Sequence, residues 1–196
     1  MIPTPSSNPQ LDNFMTMKNF SRLLTLPLVA FILVSCGSTS SLPKEVSSGG
    51  RTFSKVLVKN FSTTVTDPKV SAKVKSAQVN LPDIIAGELR QSGQFSSVAR
   101  TGKPGPQTLV IDGSITNYDD GNAAMRLLVG FAAGNSNFDA NVTYSDARGV
   151  PLGSIKVDKN SWALGGAVAM TQDAASFIPG AAEKAAKEAL KFAKKN

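Results

Sequence analysis

The sequence predicts an α+β fold: a mixed, largely antiparallel sheet with one helix from the N-terminal half and an alanine-rich C-terminal helix packed on one face. Three observations carry this. In NFDANVTYS, residues 137–145, Phe138, Ala140, Val142 and Tyr144 alternate with Asp139, Asn141, Thr143 and Ser145, the period of a strand with one wet face. The turn Asp146-Ala147-Arg148-Gly149 then leads into a further strand at 150–158, so the two pair as a hairpin. Near the C-terminus, Ala182, Ala185, Ala186, Ala189, Leu190 and Ala193 form one stripe of a helix beginning near Gly180, with Glu183, Lys184, Lys187, Glu188 and Lys191 on the other face.

The chain begins with a different kind of segment. Lys18 and Arg22 precede LLTLPLVAFILV at 23–34, a twelve-residue apolar run with the length of a signal-peptide core and too short to span a bilayer. Leu33, Val34, Ser35 and Gly37 surround Cys36 in a pattern that resembles the bacterial lipobox, whose cysteine is acylated and becomes the first residue. Residues 1–16 are polar and proline-bearing; they read as a mis-called start, with translation from Met17, or as a long n-region. The expected organisation is a signal peptide over 1–35, a lipid-anchored tether over 36–50 and one domain over 51–196. Gly37 to Gly50 is rich in Ser and Gly, a coil with a reach of roughly 20 Å.

Within the domain, Phe53, Val56, Leu57, Val58 and Phe61 predict a first strand. Residues 62–78 are polar and lysine-bearing and read as a loop holding at most a helical turn. Asn80 offers an N-cap, Pro82 and Asp83 suit a first helical turn, and Leu81, Ile84, Ile85 and Leu89 share a face up to Gly93. Phe95 and Val98 mark a short strand before the turn TGKPGPQ. Residues 107–118 form the strongest strand, with Leu109, Ile111 and Ile115 on one face and Val110, Asp112, Ser114, Thr116 and Tyr118 on the other. A stripe of small side chains then lets the C-terminal helix lie close to the sheet.

Composition removes several chemistries. The 196 residues contain no histidine and one cysteine, which excludes a Ser-His-Asp triad, a Cys-His pair, an intrachain disulfide and a cysteine zinc site. The net charge of +7 suits anionic lipid or cell-wall polymer; export argues against nucleic acid, and the bases are mainly lysines without aromatic interleaving. Asp112, Asp119, Asp120, Asp139 and Asp146 supply carboxylates, but Asp119-Asp120-Gly121-Asn122 lacks calcium-loop spacing. The two Gly-Gly pairs lack the Lys-Ser/Thr of a phosphate loop. No cofactor or metal is expected.

Two apolar stretches need a reason. Leu127 to Gly134 is continuously apolar or glycine after Arg126, and WALGGAVAM at 162–170 is a second such run. Either each packs beneath the sheet, or together they form a docking patch built on Arg126, Leu127, Leu128, Gly130, Phe131, Gly134 and Trp162. The run from Ile111-Asp112-Gly113-Ser114 through Asn117-Tyr118 to Gly134, with Asn141-Val142-Thr143-Tyr144 and the Gly149 turn, resembles the bacterial lipoprotein family known as domain of unknown function 4410. That resemblance implies an envelope lipoprotein with a compact α+β domain and brings no catalytic residues. The order of elements also resembles periplasmic domains that activate penicillin-binding proteins or build curli secretion pores, an analogy of fold.

The expected function is therefore a non-enzymatic, lipid-anchored binding or assembly module. The membrane would be engaged through diacylglycerol and acyl chains on Cys36, with an envelope protein or a second copy as partner. The absence of Asp directly after Cys36 resembles lipoproteins sorted to the inner leaflet of the outer membrane, with surface display open. The alternatives are a carboxylate-based cell-wall hydrolase using Asp112, Asp119, Asp120 or Asp139, and a component of a secretion or pore assembly.

Overall fold

A computed structural model describes residues 50–122, 124–125, 134–161 and 172–193. The strands are β1 (Lys55–Val58), β2 (Ser62–Thr63), β3 (Ser97–Ala99), β4 (Thr108–Asp119), β5 (Asn137–Ser145) and β6 (Pro151–Asn160), and the helices are α1 (Ser71–Gln91) and α2 (Ile178–Ala189). The sheet runs β3-β1-β4-β5-β6, with β2 continuing the line of β1 along β4. β1 is parallel to β3 and β4, while β4, β5 and β6 form an antiparallel meander. This is the expected mixed α+β sheet, with both helices contributing to one buried core.

The first helix differs from its sequence reading. It begins at Ser71, and Pro82 lies in its interior; residues 62–78, expected as a loop holding at most a helical turn, contain β2 and the first two turns of α1. Val70, Val74, Ala77, Leu81, Ile85 and Leu89 make one continuous stripe across the proline, and the last five are buried. That stripe outweighs the proline's cost because the lost bond is replaced. Pro82 has no N–H for the carbonyl of Gln78 four residues earlier, and this carbonyl instead accepts the Phe61 N–H at 3.0 Å.

Strand irregularities account for the other departures. Val58 pairs with Ile111 and Ser62 with Ser114, so the three residues between β1 and β2 oppose two of β4, and the extra residue turns Phe61 into the core. Between β4 and β5, Ile115 faces Ala140 but Asn117 faces Asp139. Thr116 is the bulged residue, and side-chain phase reverses there. Tyr118, expected on the polar face, is therefore buried with Ile115 and packs edge-on against Phe138 at 6.1 Å.

The alanine stripe behaves as expected. Ala182, Ala185, Ala186 and Ala189 are buried, and α2 approaches β5 closely enough for the Tyr144 hydroxyl to donate to the Ala185 carbonyl at 2.8 Å. Burial pushes the Tyr144 phenol well above its ordinary value. Among the described residues, no helix is long and apolar enough to cross a membrane.

Candidate functional site

The end of the sheet where β4 finishes and β5 begins gathers the roots of both apolar stretches. Ser136, fully buried just before β5, makes three bonds. Its N–H donates to Ser161 Oγ at 3.0 Å, its carbonyl accepts the Ser161 N–H at 3.0 Å, and its hydroxyl donates to the Gln172 carbonyl at 2.9 Å. Ser161 and Gln172, the described residues on either side of 162–171, are thus both bonded to one serine. The other segment is closed next to it by the Asn122 N–H donating to the Gly134 carbonyl at 2.8 Å.

Gly134 is required at that closure. Its φ is +70°, and a Cβ there would lie 2.5 Å from the Asn122 carbonyl oxygen and 2.9 Å from Met125 Cβ. Its role in the described residues is loop closure. The remaining docking residues, Arg126, Leu127, Leu128, Gly130, Phe131 and Trp162, lie outside the described residues, as do Cys36 and its neighbours Leu33, Val34, Ser35 and Gly37.

Asp120 braces the same corner. Its Oδ2 lies 2.6 Å from Lys73 Nζ on α1, and its Oδ1 accepts the Ala174 N–H at 3.4 Å. The Asp120 bond holds the Lys73 ammonium above its ordinary pKa. Asp173 caps the following 3-10 turn by accepting the Ser176 N–H at 3.0 Å. Tyr118, beneath these acids, is pushed up to about 12, first by burial and then by the charges of Asp120 and Asp173.

The four carboxylates considered for hydrolysis do not converge. Asp112 faces Lys59 at 3.8 Å, Asp119 accepts the Gly121 N–H at 2.8 Å, and Asp120 is engaged as above. Asp112 and Asp119 stand seven residues apart on β4, roughly 23 Å. Asp139 pairs across the hairpin with Asp158, a partner the sequence reading did not name. Burial, and then Asp158, raise the Asp139 carboxyl above its ordinary value, with Lys156 opposing. Among the described residues no group of three metal-ligating side chains assembles.

Ser136, Ser161, Asp158 and Asp173 were not singled out in sequence. Two isolated serines flanking strands carry no signal until the hairpin register brings them together. The register itself was concealed by a bulge: Ser145 faces Pro151 but Tyr144 faces Gly153, so Leu152 is extra and Asp158, not Val157, comes opposite Asp139.

Comparison with solved structures finds this fold in PelC from Paraburkholderia phytofirmans, a dodecamer. It superposes with a TM-score of 0.52 at 15% identity, over 81% of this chain and 99% of PelC; a point variant of that protein gives 0.52 at 16% over the same shares. A neuraminyllactose-binding hemagglutinin homolog from Helicobacter pylori matches more loosely, with a TM-score of 0.38 at 15% identity over 74% of this chain and 88% of its own. No curated protein matches the sequence. The likeness to PelC shows the fold alone. The family profile covers residues 41–165, and the chain belongs to the family described as a domain of unknown function (DUF4410).

Proposed function

We propose that this chain is a lipid-anchored component of the bacterial envelope that acts by docking and self-assembly rather than by catalysis. Acylation of Cys36 ties it to the membrane, in our reading the inner leaflet of the outer membrane, through the tether of 36–50. The single observation that carries the docking role is the Ser136 hub. It draws the roots of two stretches whose sequences are rich in Gly, Ala and large apolar residues to one corner of the sheet. A concentration of such sequence at one place suits contact with another protein surface. A second copy is the partner we favour, because PelC, built on the same fold, is a dodecamer.

The test is photo-crosslinking in cells from Leu128 and, separately, from Ala167 in the lipidated protein, with adduct masses read after membrane extraction. A ladder of self-adducts is the expected result. A single adduct with a different envelope protein would replace self-assembly by docking on that protein, and no adduct from either position would overturn the proposal. The hydrolase reading has one observation in its favour, the raised carboxyl of Asp139 beside Asp158. It requires Asp139→Asn to abolish function in a folded protein, whereas the docking module tolerates that change.

A further inference from the structure

We propose that the end of the domain where the tether arrives is a docking surface for anionic phospholipid headgroups, so that the anchored domain sits on its membrane in one orientation. The proposal rests on the lipid-anchored reading of Cys36 above.

An open groove of about 700 Å³ lies at this end, with Arg51, Phe53, Pro104, Pro106, Asp146 and Arg148 among its lining residues. Arg51 directly follows Gly50, so the tether starts at the lip of the groove. Phe53 is a fixed part of its wall: its N–H donates to the Phe192 carbonyl at 2.9 Å, and the two rings meet edge-on at 6.3 Å.

Two guanidiniums share one carboxylate at the rim. Arg51 Nη1 and Arg148 Nη2 lie 3.0 and 3.2 Å from the same oxygen, Asp146 Oδ2, while their side chains remain 44% and 78% exposed. One unit of positive charge is left over, and the guanidinium donors beyond these two bonds keep the planar fork that matches phosphate oxygens. Exposed Lys103 adjoins the Pro104 wall, and exposed Lys191 adjoins Phe192 with Glu188 as its partner at 2.7 Å. At the other end of β4 the charges balance: Lys69, Lys73, Lys75 and Lys159 stand there with Asp67, Asp119, Asp120 and Asp173.

Distance makes this asymmetry matter. The twelve residues of β4 separate the two ends by roughly 40 Å, against a tether reach of roughly 20 Å and a screening length of about 8–10 Å. The groove end is the end the tether holds near the headgroups. Each basic side chain brought to an anionic surface strengthens contact roughly five-fold.

The experiment uses the lipidated chain in vesicles. Cys36 is the sole cysteine and its sulfur is blocked once it carries diacylglycerol, so Ala147→Cys beside the groove and Ala175→Cys at the far end each provide one thiol for a fluorophore. Quenching by a headgroup nitroxide is compared in phosphatidylcholine and in phosphatidylcholine with about one-third phosphatidylglycerol. The expected result is quenching at position 147 at least about three-fold stronger in the anionic vesicles, lost between about 0.05 and 0.5 M salt, with position 175 unchanged.

Arg51→Gln with Arg148→Gln should remove the difference. Because those variants also release Asp146, Lys103→Glu provides a second test: Lys103 forms no ion pair among the described residues, and its reversal should weaken the contact roughly five-fold or more and so remove most of the quenching difference. Equal quenching in both lipids, or equal quenching at both positions, overturns the docking surface. A Cys36 peptide without diacylglycerol in the mass spectrum overturns the anchoring reading and the proposal with it, while diacylglycerol with equal quenching overturns the docking alone.

Discussion

Gln78 holds Phe61 at two points: its carbonyl accepts the Phe61 N–H at 3.0 Å, and its Nε2 donates to the Phe61 carbonyl at 2.9 Å. The first bond exists because Pro82 gives the Gln78 carbonyl no helical donor; the second needs a side-chain amide at that position. A helix defect and a strand defect thus satisfy one another. Arg100 ties the same kink to α1, donating to the Val58 carbonyl, to Asn60 Oδ1 at 2.6 Å and to Asp83 Oδ1 at 2.6 Å.

Gln78→Ala should therefore cost about 1–3 kcal/mol, because the half-buried Phe61 carbonyl loses its donor. Denaturant titration measures the loss, and amide exchange at Phe61 should quicken in step. Pro82→Ala provides the converse. In an exposed helix interior that change recovers about 3 kcal/mol. Here the recovery should be less than half as large, since the Gln78 carbonyl is already engaged and the proline ring is buried.

The kink also explains the glycine in β4. A Cβ on Gly113 would lie 2.5 Å from the Phe61 ring and 2.5 Å from the Asn141 carbonyl oxygen, so the absence of a side chain lets the ring lie on the strand. Gly113→Ala should destabilise by about 2–3 kcal/mol or more. Phe61→Leu in the same chain should recover only part of that loss, because the Asn141 backbone contact remains. Full recovery in a double-mutant cycle would place the whole conflict in the ring.

These residues mark where the sequence ceases to be sufficient. The β5–β6 hairpin, the alanine stripe of α2 and the Leu109, Ile111, Ile115 face were legible because each repeats a regular period with one side buried. The start of α1 was not, since Pro82 reads locally as a first-turn proline and only the stripe from Val70 to Leu89 contradicts it. Thr116 and Leu152 were beyond reach for a related reason: a bulge adds one residue without any compositional mark, then reverses every side chain after it. The corner built on Ser136 was half legible. Its two apolar stretches announced themselves, whereas the serines that collect their roots became meaningful only with the register.

Asp139 predicts a pH dependence. Its folded-state pKa is raised, chiefly by burial and next by Asp158, so the folded chain holds this proton more tightly than the unfolded chain does. Stability from this group is complete below the ordinary carboxylate value and is lost as pH rises from that value through the raised one. Asp139→Asn should therefore raise the thermal midpoint at neutral pH, with the gain shrinking as pH falls through the raised value and gone below the ordinary carboxylate value. A gain independent of pH would assign the effect to packing or to a new bond with Asp158 instead.

Ser161→Ala tests the corner that the docking proposal depends on. Both serines are fully buried, and Ser161 Oγ is the acceptor for the Ser136 N–H; its removal leaves a buried donor unsatisfied, at a cost of about 1–3 kcal/mol. The reciprocal bond from the Ser161 N–H to the Ser136 carbonyl survives the change, so the strand end should stay paired and the chain folded. Denaturant titration reads the stability loss, and crosslinking from Leu128 and Ala167 reads its consequence. If Ser136 organises both roots, adduct yield should fall at both positions although neither is altered. A fall at Ala167 alone would mean that Ser161 governs only the segment it begins, and that the two apolar stretches act as separate surfaces.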